Sequence, residues 1–193
     1  AVRYAPSIST HLDDSELVAA AQGGDRNALD QLLRRHYDRI HAVCSRIAGG
    51  SRDGDDACQE ALIKIVRNLP RFDGRSSFGT WAYRIVVNEA LGTLRKSKNF
   101  HRSLDEVDIG VPDSPYFEAD RLLADLYRAL ANLPERQRLT FQLRYFDAKP
   151  YSDISEILGT SVGGLKANYH HAVERIKREM SELNPDYDFE SNE

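Results

Sequence analysis

Residues 70–85 read Pro70-Arg71-Phe72-Asp73-Gly74-Arg75-Ser76-Ser77-Phe78-Gly79-Thr80-Trp81-Ala82-Tyr83-Arg84-Ile85, a polar loop that runs into the aromatic start of a helix. Flat aromatic side chains interleaved with arginines are suited to holding splayed nucleobases, because the rings stack on bases and the cations neutralise phosphates. A helix–loop–helix corner whose aromatic residues only fill the core would have the same composition. The stretch therefore leaves two interpretations open.

The composition indicates a soluble, globular chain. Its 193 residues leave room for one ordinary domain or two small ones, and 41% are hydrophobic and 29% charged. No apolar run reaches the roughly 18 residues that span a bilayer, and the N-terminus lacks a signal-peptide pattern. The two cysteines, Cys44 and Cys58, do not form a CxxC pair. We therefore expect a reduced, cytoplasmic setting without stable membrane insertion.

The charge is unevenly distributed along the chain. A formal net charge of −4 argues weakly against a nucleic-acid-binding protein. However, residues 84–102 carry five Lys or Arg against one Glu, whereas residues 179–193 carry six acidic residues and no basic one. The acidic tail therefore makes the net charge negative although part of the chain is basic.

The first half of the chain has helical periodicity. Asp13 or Asp14 is predicted to cap a first helix, and Asp25 a second one whose apolar stripe includes Tyr37 and which ends at Gly49. No alternating pattern typical of a strand occurs anywhere. The first half is therefore predicted to be an all-α bundle.

Two further helices complete this bundle. The third is predicted to start through Asp53-Gly54-Asp55-Asp56, to place Val66 in the core and to stop at Pro70. The fourth is predicted from about Ser77 to Ser97. Residues 99–116 show no helical periodicity of apolar residues and contain two prolines, so this segment is predicted to be a linker.

Helical periodicity returns from residue 117. Residues 151–166 have the proportions of a helix-turn-helix, with Gly159 at the turn, where a positive φ is easy. A generic helical hairpin is the alternative interpretation. In a helix-turn-helix, the outer face of the second helix would contact the major groove. That face consists of Gly163, Gly164, Ala167, His170, His171, Glu174 and Arg178, flanked by Lys166, Asn168, Arg175 and Lys177.

An enzyme is one rival hypothesis. His36, His41 and Cys44 share one predicted helix, and His41 and Cys44 have a spacing that can ligate a metal. However, no second ligand cluster accompanies them, and Cys44 falls in the core stripe. No nucleophile triad, phosphate loop or carboxylate pair stands out either. We therefore expect neither enzymatic activity nor a cofactor or metal.

Five stretches in order resemble extracytoplasmic-function (ECF) sigma factors, the small two-domain members of the bacterial sigma-70 family. The first stretch lies at the start of the first half, and the second lies at the start of the third helix. The third is the aromatic loop with the helix that follows it. The fourth is Leu133-Pro134-Glu135-Arg136-Gln137-Arg138 and the fifth is the helix-turn-helix. The resemblance covers roughly residues 14–180. The full set is residues 16–29, 53–60, 72–88, 133–138 and 151–178.

The resemblance implies an all-α fold of two small helical domains joined by a flexible linker. It implies a transcription initiation factor that binds core RNA polymerase, recognises the −10 and −35 promoter elements and helps to melt the promoter. The implied partners are the clamp helices of the largest polymerase subunit, the flap, promoter DNA and an anti-sigma factor. The implied bounds are an arm at 1–13, region 2 at 14–98, a linker at 99–116, region 4 at 117–180 and an acidic tail at 181–193.

The resemblance also implies three sets of contact residues. Core polymerase would contact Asp55, Asp56, Gln59, Glu60 and Ile63. The −10 element, with one flipped base, would contact Phe72, Asp73, Gly74, Arg75, Ser76, Ser77, Thr80, Trp81, Arg84 and Asn88. The −35 element would contact Ser161, Gly163, Gly164, Lys166, Ala167, Asn168, His170, His171, Arg175 and Arg178.

The chain departs from the family pattern at several positions. Gly164 stands where the family often has Thr, Ala167 where it has Ser, and Asn168 where it has Arg. These changes predict a −35 preference that deviates from the common one. Ala148-Lys149-Pro150 replaces a glycine-bearing turn, which predicts a slightly shifted start of the next helix.

Two rivals from other classes remain. A stand-alone helix-turn-helix regulator would account for residues 117–180 but not for the aromatic loop or the third helix. A protein that only sequesters a partner would differ by failing to co-purify with core polymerase.

Overall fold

The computed structural model describes residues 12–49, 51–101 and 118–185. These residues fall into two compact units, divided between Arg95 and Lys96. Within the described ranges every regular element is helical, which confirms the all-α prediction, and no helix is long and apolar enough to cross a membrane. The elements are α1 Asp14–Gln22, α2 Arg26–Ala48, α3 Ser51–Asn68, a 3-10 turn Leu69–Arg71, α4 Phe78–His101, α5 Glu118–Ala131, α6 Glu135–Tyr145, α7 Tyr151–Leu158 and α8 Val162–Leu183.

Three predicted segments lie wholly or mostly outside the described residues. They are nearly all of the N-terminal arm, most of the linker and most of the acidic tail. The helix that precedes the linker, α4, continues to His101 and so runs past its predicted end at Ser97.

The predicted caps of the first two helices are confirmed. The carboxylate of Asp13 accepts a hydrogen bond from the backbone N–H of Glu16, and the Glu16 carboxylate accepts one from the N–H of Asp13. Asp25 accepts from the N–H groups of Asn27 and Ala28 at the start of α2. These side chains satisfy donors that have no partner within the helix.

The third helix begins earlier than predicted, which places Gly54 inside it. The prediction placed the start of the third helix through residues 53–56, but α3 begins at Ser51 and Gly54 lies within it. A Cβ atom at Gly54 would come within 2.6 Å of the Cα of Ser45. The missing side chain therefore lets α3 lie directly against α2. Gly54 is a helix-packing residue.

The core of the first unit follows the predicted stripes except at their edges. Leu32 and Ile40 of α2 and Ile65 of α3 are fully buried. Tyr37 and Val66 were predicted in the core, but they are 46% and 38% exposed. Val66 lies one helical step beyond the buried Ile65, where a turn of 100° carries its side chain out of the interface. The Tyr37 ring instead stacks on His41.

The second unit is built on α8. Leu130 and Leu133 of α5 and its following turn pack with Phe141 of α6 against the inner face of α8. Gly159 has a φ of 62° and ends α7, as the predicted turn required. Ser161 then caps α8 by accepting a hydrogen bond from the N–H of Gly164. The helix-turn-helix prediction is confirmed.

Replacing Ala148 with glycine is expected to stabilise the chain by about 1 kcal/mol, which raises Tm by a few degrees. Ala148 has a φ of 48°, a left-handed conformation that strains any residue with a Cβ. Urea and thermal unfolding followed by circular dichroism would measure the change. The matched control is Ala167→Gly in the exposed face of α8, where the same substitution should destabilise by about 1 kcal/mol. A Tm at or below that of the parent for Ala148→Gly would contradict the strain argument.

Candidate nucleic-acid interface

A cavity of about 480 Å³ lies between α1 and the loop that leads into α4. One wall is the outer face of α1 and the other is the loop with the first residue of α4. We call it the α1–loop cavity. Its lining consists of Asp13, Asp14, Ser15, Val18, Ala19, Gln22, Phe72, Asp73, Gly74, Ser76, Ser77 and Phe78.

Gln22 at the end of α1 connects the two walls. Its side-chain amide nitrogen donates hydrogen bonds to the carbonyl oxygens of Leu69, at 2.9 Å, and Phe72, at 2.8 Å. The amide thus anchors the backbone where the loop begins. Sequence reasoning missed Gln22 as a site residue, because no local pattern shows which carbonyls a glutamine meets 47 and 50 residues away.

Three aromatic rings at the loop and the start of α4 pack against one another. The centroid of Phe72 lies 4.9 Å from that of Trp81 and 6.3 Å from that of Phe78, and the last two are 5.8 Å apart. Phe78 is buried, whereas Phe72 and Trp81 are only partly buried. Phe78 therefore belongs to the core, as the core interpretation of the stretch expected. Phe72 keeps an accessible surface, and base binding there stays a prediction.

Asp14 links α1 to α2 beneath the cavity. Its two carboxylate oxygens lie 2.7 Å from Nη1 of Arg35 and 2.7 Å from Nε2 of His36. Burial acts to raise the pKa of Asp14, but the hydrogen bonds and charges of Arg35 and His36 outweigh it, so the pKa lies below its ordinary value. The His36 ring in turn packs edge-on against Phe78 at 5.0 Å. The carboxylate is therefore ionised at neutral pH and fixes α1 in place.

The loop and the start of α4 carry the other predicted −10 residues. Arg75 lies at the surface, with its Nε 2.7 Å from Asp73. Ser77 accepts a hydrogen bond from the N–H of Thr80 and starts α4, while Thr80 itself is only 4% exposed. Gly74 has a φ of 72°, and Ser76 is partly buried. Arg84 and Asn88 lie exposed, one helical turn apart on α4.

The predicted polymerase-binding residues lie on one exposed face of α3. Ile63 is 43% exposed, and Asp55, Asp56, Gln59 and Glu60 are exposed as well. The same face includes the half-exposed Val66. At its N-terminal end, Oδ1 of Asp55 lies 2.7 Å from Nε2 of His41. An apolar patch with carboxylates at one end is thus presented to solvent.

The candidate metal ligands of α2 are not brought together. His36 pairs with Asp14 and His41 with Asp55, while Cys44 is buried in the core, as its stripe predicted. In the part of the chain that the structure describes, no group of three or more His, Cys, Asp or Glu could hold a metal ion.

The outer face of α8 is flat at its start and basic further along. A Cβ at Gly163 would meet nothing within 4 Å, and one at Gly164 would lie 3.3 Å from the Ser161 hydroxyl. Of the predicted −35 residues, Gly164, Asn168 and Arg175 are partly buried, and the Nε of Arg175 is buried without a hydrogen-bond partner. The exposed ones are Ser161, Gly163, Lys166, Ala167, His170, His171 and Arg178.

Two family descriptions match this chain. Residues 32–100 match sigma-70 region 2, and residues 123–176 match sigma-70 region 4. The first match covers α3, the aromatic loop and α4, and the second covers the helix-turn-helix.

Whole-length relatives and a solved structure agree with these matches. The ECF RNA polymerase sigma factor SigM of Mycobacterium tuberculosis is 32% identical over 95% of this chain and 94% of its own length. The RNA polymerase sigma-H factor of Pseudomonas aeruginosa is 30% identical over 90% of this chain and 97% of its own. The sigma factor RpoE of Bartonella quintana, solved in complex with the anti-sigma factor NepR, is 23% identical, with a TM-score of 0.66 over 79% of this chain and 96% of that chain.

The resemblance seen in the sequence is therefore confirmed along nearly the whole chain. The relatives match it over both helical units, so a stand-alone helix-turn-helix regulator is not favoured. This chain belongs to the ECF sigma factors of the sigma-70 family, and it is a promoter-recognising transcription initiation factor.

Proposed function

We propose that this sigma factor, when bound to core RNA polymerase, captures one unstacked base of the −10 element in the α1–loop cavity. The observation that carries the proposal is the cavity itself, with an accessible aromatic ring, Phe72, at its edge. Extruding a base costs a few kcal/mol, and stacking on an aromatic side chain returns about 1–3 kcal/mol per base. Hydrogen bonds in the cavity supply the remainder, so capture favours the melted strand over the duplex.

The arginines around the loop would hold the backbone of the captured strand. Arg71 and Arg75 lie exposed on either side of Phe72, and Arg84 lies exposed on α4. Neutralising phosphates contributes affinity without sequence preference. Thr80 is buried, so its role there would be to support Ser77, not to contact DNA directly.

The exposed face of α3 would bind the clamp helices of the largest polymerase subunit. Ile63 and Val66 offer apolar surface to a partner helix, and Asp55, Asp56 and Glu60 offer carboxylates to basic residues. Apolar contacts at the centre of such an interface supply affinity, and the charges at its rim steer association.

The start of α8 would enter the major groove of the −35 element. Gly163 and Ala167 have little or no side chain, which allows close approach of the helix to the base edges. Lys166, His170 and His171 would then contact bases or phosphates. Two modest DNA contacts held on one polymerase act together as one strong contact.

The remaining properties follow from this mechanism. The chain would act in the cytoplasm as a binding protein without catalytic residues or cofactor. An anti-sigma factor is proposed as a partner, because the similar RpoE was solved with one. The proposed bounds of the two DNA-binding domains are residues 14–98 and 117–180, with the linker between them reaching through the polymerase channels.

Run-off transcription with core polymerase on a randomised promoter library tests the function. The chain with core polymerase is expected to select templates with paired −10 and −35 motifs, whereas the chain alone should show no strong, specific shift of duplex promoter DNA. Strong specific binding by the isolated chain, without any stimulation of core polymerase, would instead identify a stand-alone regulator.

A further inference from the structure

The two cysteines of the chain meet inside the first unit. Cys44 of α2 is fully buried and Cys58 of α3 is nearly so. The Cys44 thiol donates a hydrogen bond to the sulfur of Cys58, so the two side chains point toward each other across the contact between the helices. The chain contains no other cysteine, so an intrachain disulfide can only join this pair.

The packing of α2 on α3 holds the two thiols in place. Ser45, the neighbour of Cys44, lies against Gly54, one helical turn before Cys58. A disulfide requires Cβ atoms about 4 Å apart on side chains that face each other. Thiols that already share a hydrogen bond between closely packed helices can form that bond while both helices stay folded.

The surroundings of the pair make its two sulfur atoms unequal. The hydrogen bond from Cys44 lowers the pKa of Cys58 and outweighs burial, which acts to raise it, and the charge of His41 lowers it further. The same hydrogen bond, together with burial, raises the pKa of Cys44. The thiolate is the nucleophilic form of cysteine. Cys58 is therefore the sulfur that attacks an oxidant, and Cys44 is the one that stays protonated.

A small oxidant has a short route to Cys58 from the surface. Asp55, three residues before Cys58 on α3, is exposed, and its Oδ1 lies 2.7 Å from Nε2 of the partly exposed His41. Both groups act on the pKa of Cys58, so they lie close to its thiol. Exposed ion pairs are weak, and folded chains open locally. Separation of this pair therefore admits a molecule as small as hydrogen peroxide.

We propose that Cys44 and Cys58 are a redox modification site, which a hydroperoxide converts to an intrachain disulfide. The Cys58 thiolate attacks one peroxide oxygen, so that an S–O bond forms as the O–O bond breaks and hydroxide leaves. Cys44 then gives up its proton and attacks the sulfenic sulfur, so that the S–S bond forms as the S–O bond breaks and a second hydroxide leaves. The two thiol protons convert both hydroxides to water. Sulfur is oxidised and the peroxide is reduced, and two thiols and one hydrogen peroxide give one disulfide and two waters.

The disulfide protects the core of the first unit. Without a second thiol, the sulfenic acid of Cys58 would be oxidised further to sulfinic and sulfonic acids, which are not reversed by thiols. An ionised acid in the buried contact between α2 and α3 would destabilise it. The attack by Cys44 ends the oxidation at a neutral product, which a dithiol reductant returns to the two thiols.

The test oxidises the purified full-length chain with hydrogen peroxide after removal of reductant. We expect both thiols to disappear, the monomer to lose the mass of two hydrogen atoms, and dithiothreitol to restore the original mass. The oxidised chain should keep its helical circular dichroism, with a Tm at or above that of the reduced chain, because the cross-link restricts the unfolded chain. A disulfide-linked dimer, thiols that persist in a large excess of peroxide, or a lowered Tm would overturn the proposal.

Two single variants, each lacking one buried sulfur, assign the role of each cysteine. Cys44→Ala leaves Cys58 without a second thiol, so this chain should gain oxygen atoms that dithiothreitol does not remove. Cys58→Ala keeps only the protonated Cys44, which should react at least about tenfold more slowly. Each variant is also oxidised in urea, where either cysteine is accessible and the two rates should be similar. Similar rates in the two folded variants would show that Cys58 is not the attacking sulfur.

Discussion

Phe72→Ala is expected to lower promoter opening by the holoenzyme about ten- to a hundredfold, while binding to core polymerase changes less than about twofold. Phe72 keeps an accessible ring at the edge of the α1–loop cavity, and its other face packs on Trp81. The loop backbone is held by Gln22 through carbonyl groups, so the loop keeps its anchor after the ring is removed. Permanganate reactivity of melted thymines measures opening, and co-purification measures core binding.

Phe72→Leu is the matched control for this prediction. Leucine preserves most of the apolar contact with Trp81 but offers no flat surface to a base, so opening should still fall while helical content and Tm stay near those of the parent. Equal loss of opening and of core binding in both variants would mean that the ring serves only the core.

Ile63→Asp is expected to weaken binding to core polymerase at least about thirtyfold. Truncating a central apolar contact costs about 2 kcal/mol or more, and a buried, unpaired carboxylate adds to that loss. Because Ile63 is 43% exposed in the free chain, folding stability should change little. Titration of fluorescently labelled core polymerase gives the affinity, and circular dichroism gives the helical content.

Leu183→Asp serves as the control for the substitution. Leu183 is 38% exposed at the end of α8, so the same charge is introduced at an apolar position of similar exposure outside the α3 face. Its affinity for core polymerase should match that of the parent. Normal core binding by Ile63→Asp would show that the α3 face is not the docking surface.

Local signals were sufficient to predict most of the fold. The helix caps at Asp13 and Asp25 and the turn at Gly159 depend on a few neighbouring residues, so the chemistry that forms them is visible in the sequence. A second local signal is the clear stripe of apolar residues along α8 in the helix-turn-helix. Both kinds of signal are short in range, and both led to correct elements.

What the sequence could not reveal depends on contacts between distant residues. Gly54 was predicted only as part of the segment that begins α3, and the approach of Ser45 is what identifies it as a packing position. Gln22 had no distinguishing neighbours, although it anchors the loop. Tyr37 and Val66 lie at stripe edges, where the crossing of the neighbouring helix decides exposure. The proposed site was therefore predictable in its loop residues but not in the α1 wall that completes the cavity.

The dependence of the cavity on α1 has a thermodynamic consequence. A nine-residue helix is unstable in isolation, so α1 stays folded mainly through burial of Leu17 and Val18 and the pairing of Asp14. Such elements detach in sub-global openings that require less free energy than complete unfolding. Only molecules in which α1 is docked have both walls of the cavity. In the proposed mechanism, the apparent affinity for a base is therefore multiplied by the fraction of molecules in that state. In this proposed mechanism, the docking equilibrium of α1 thus sets an upper limit on how strongly the chain can hold an open promoter.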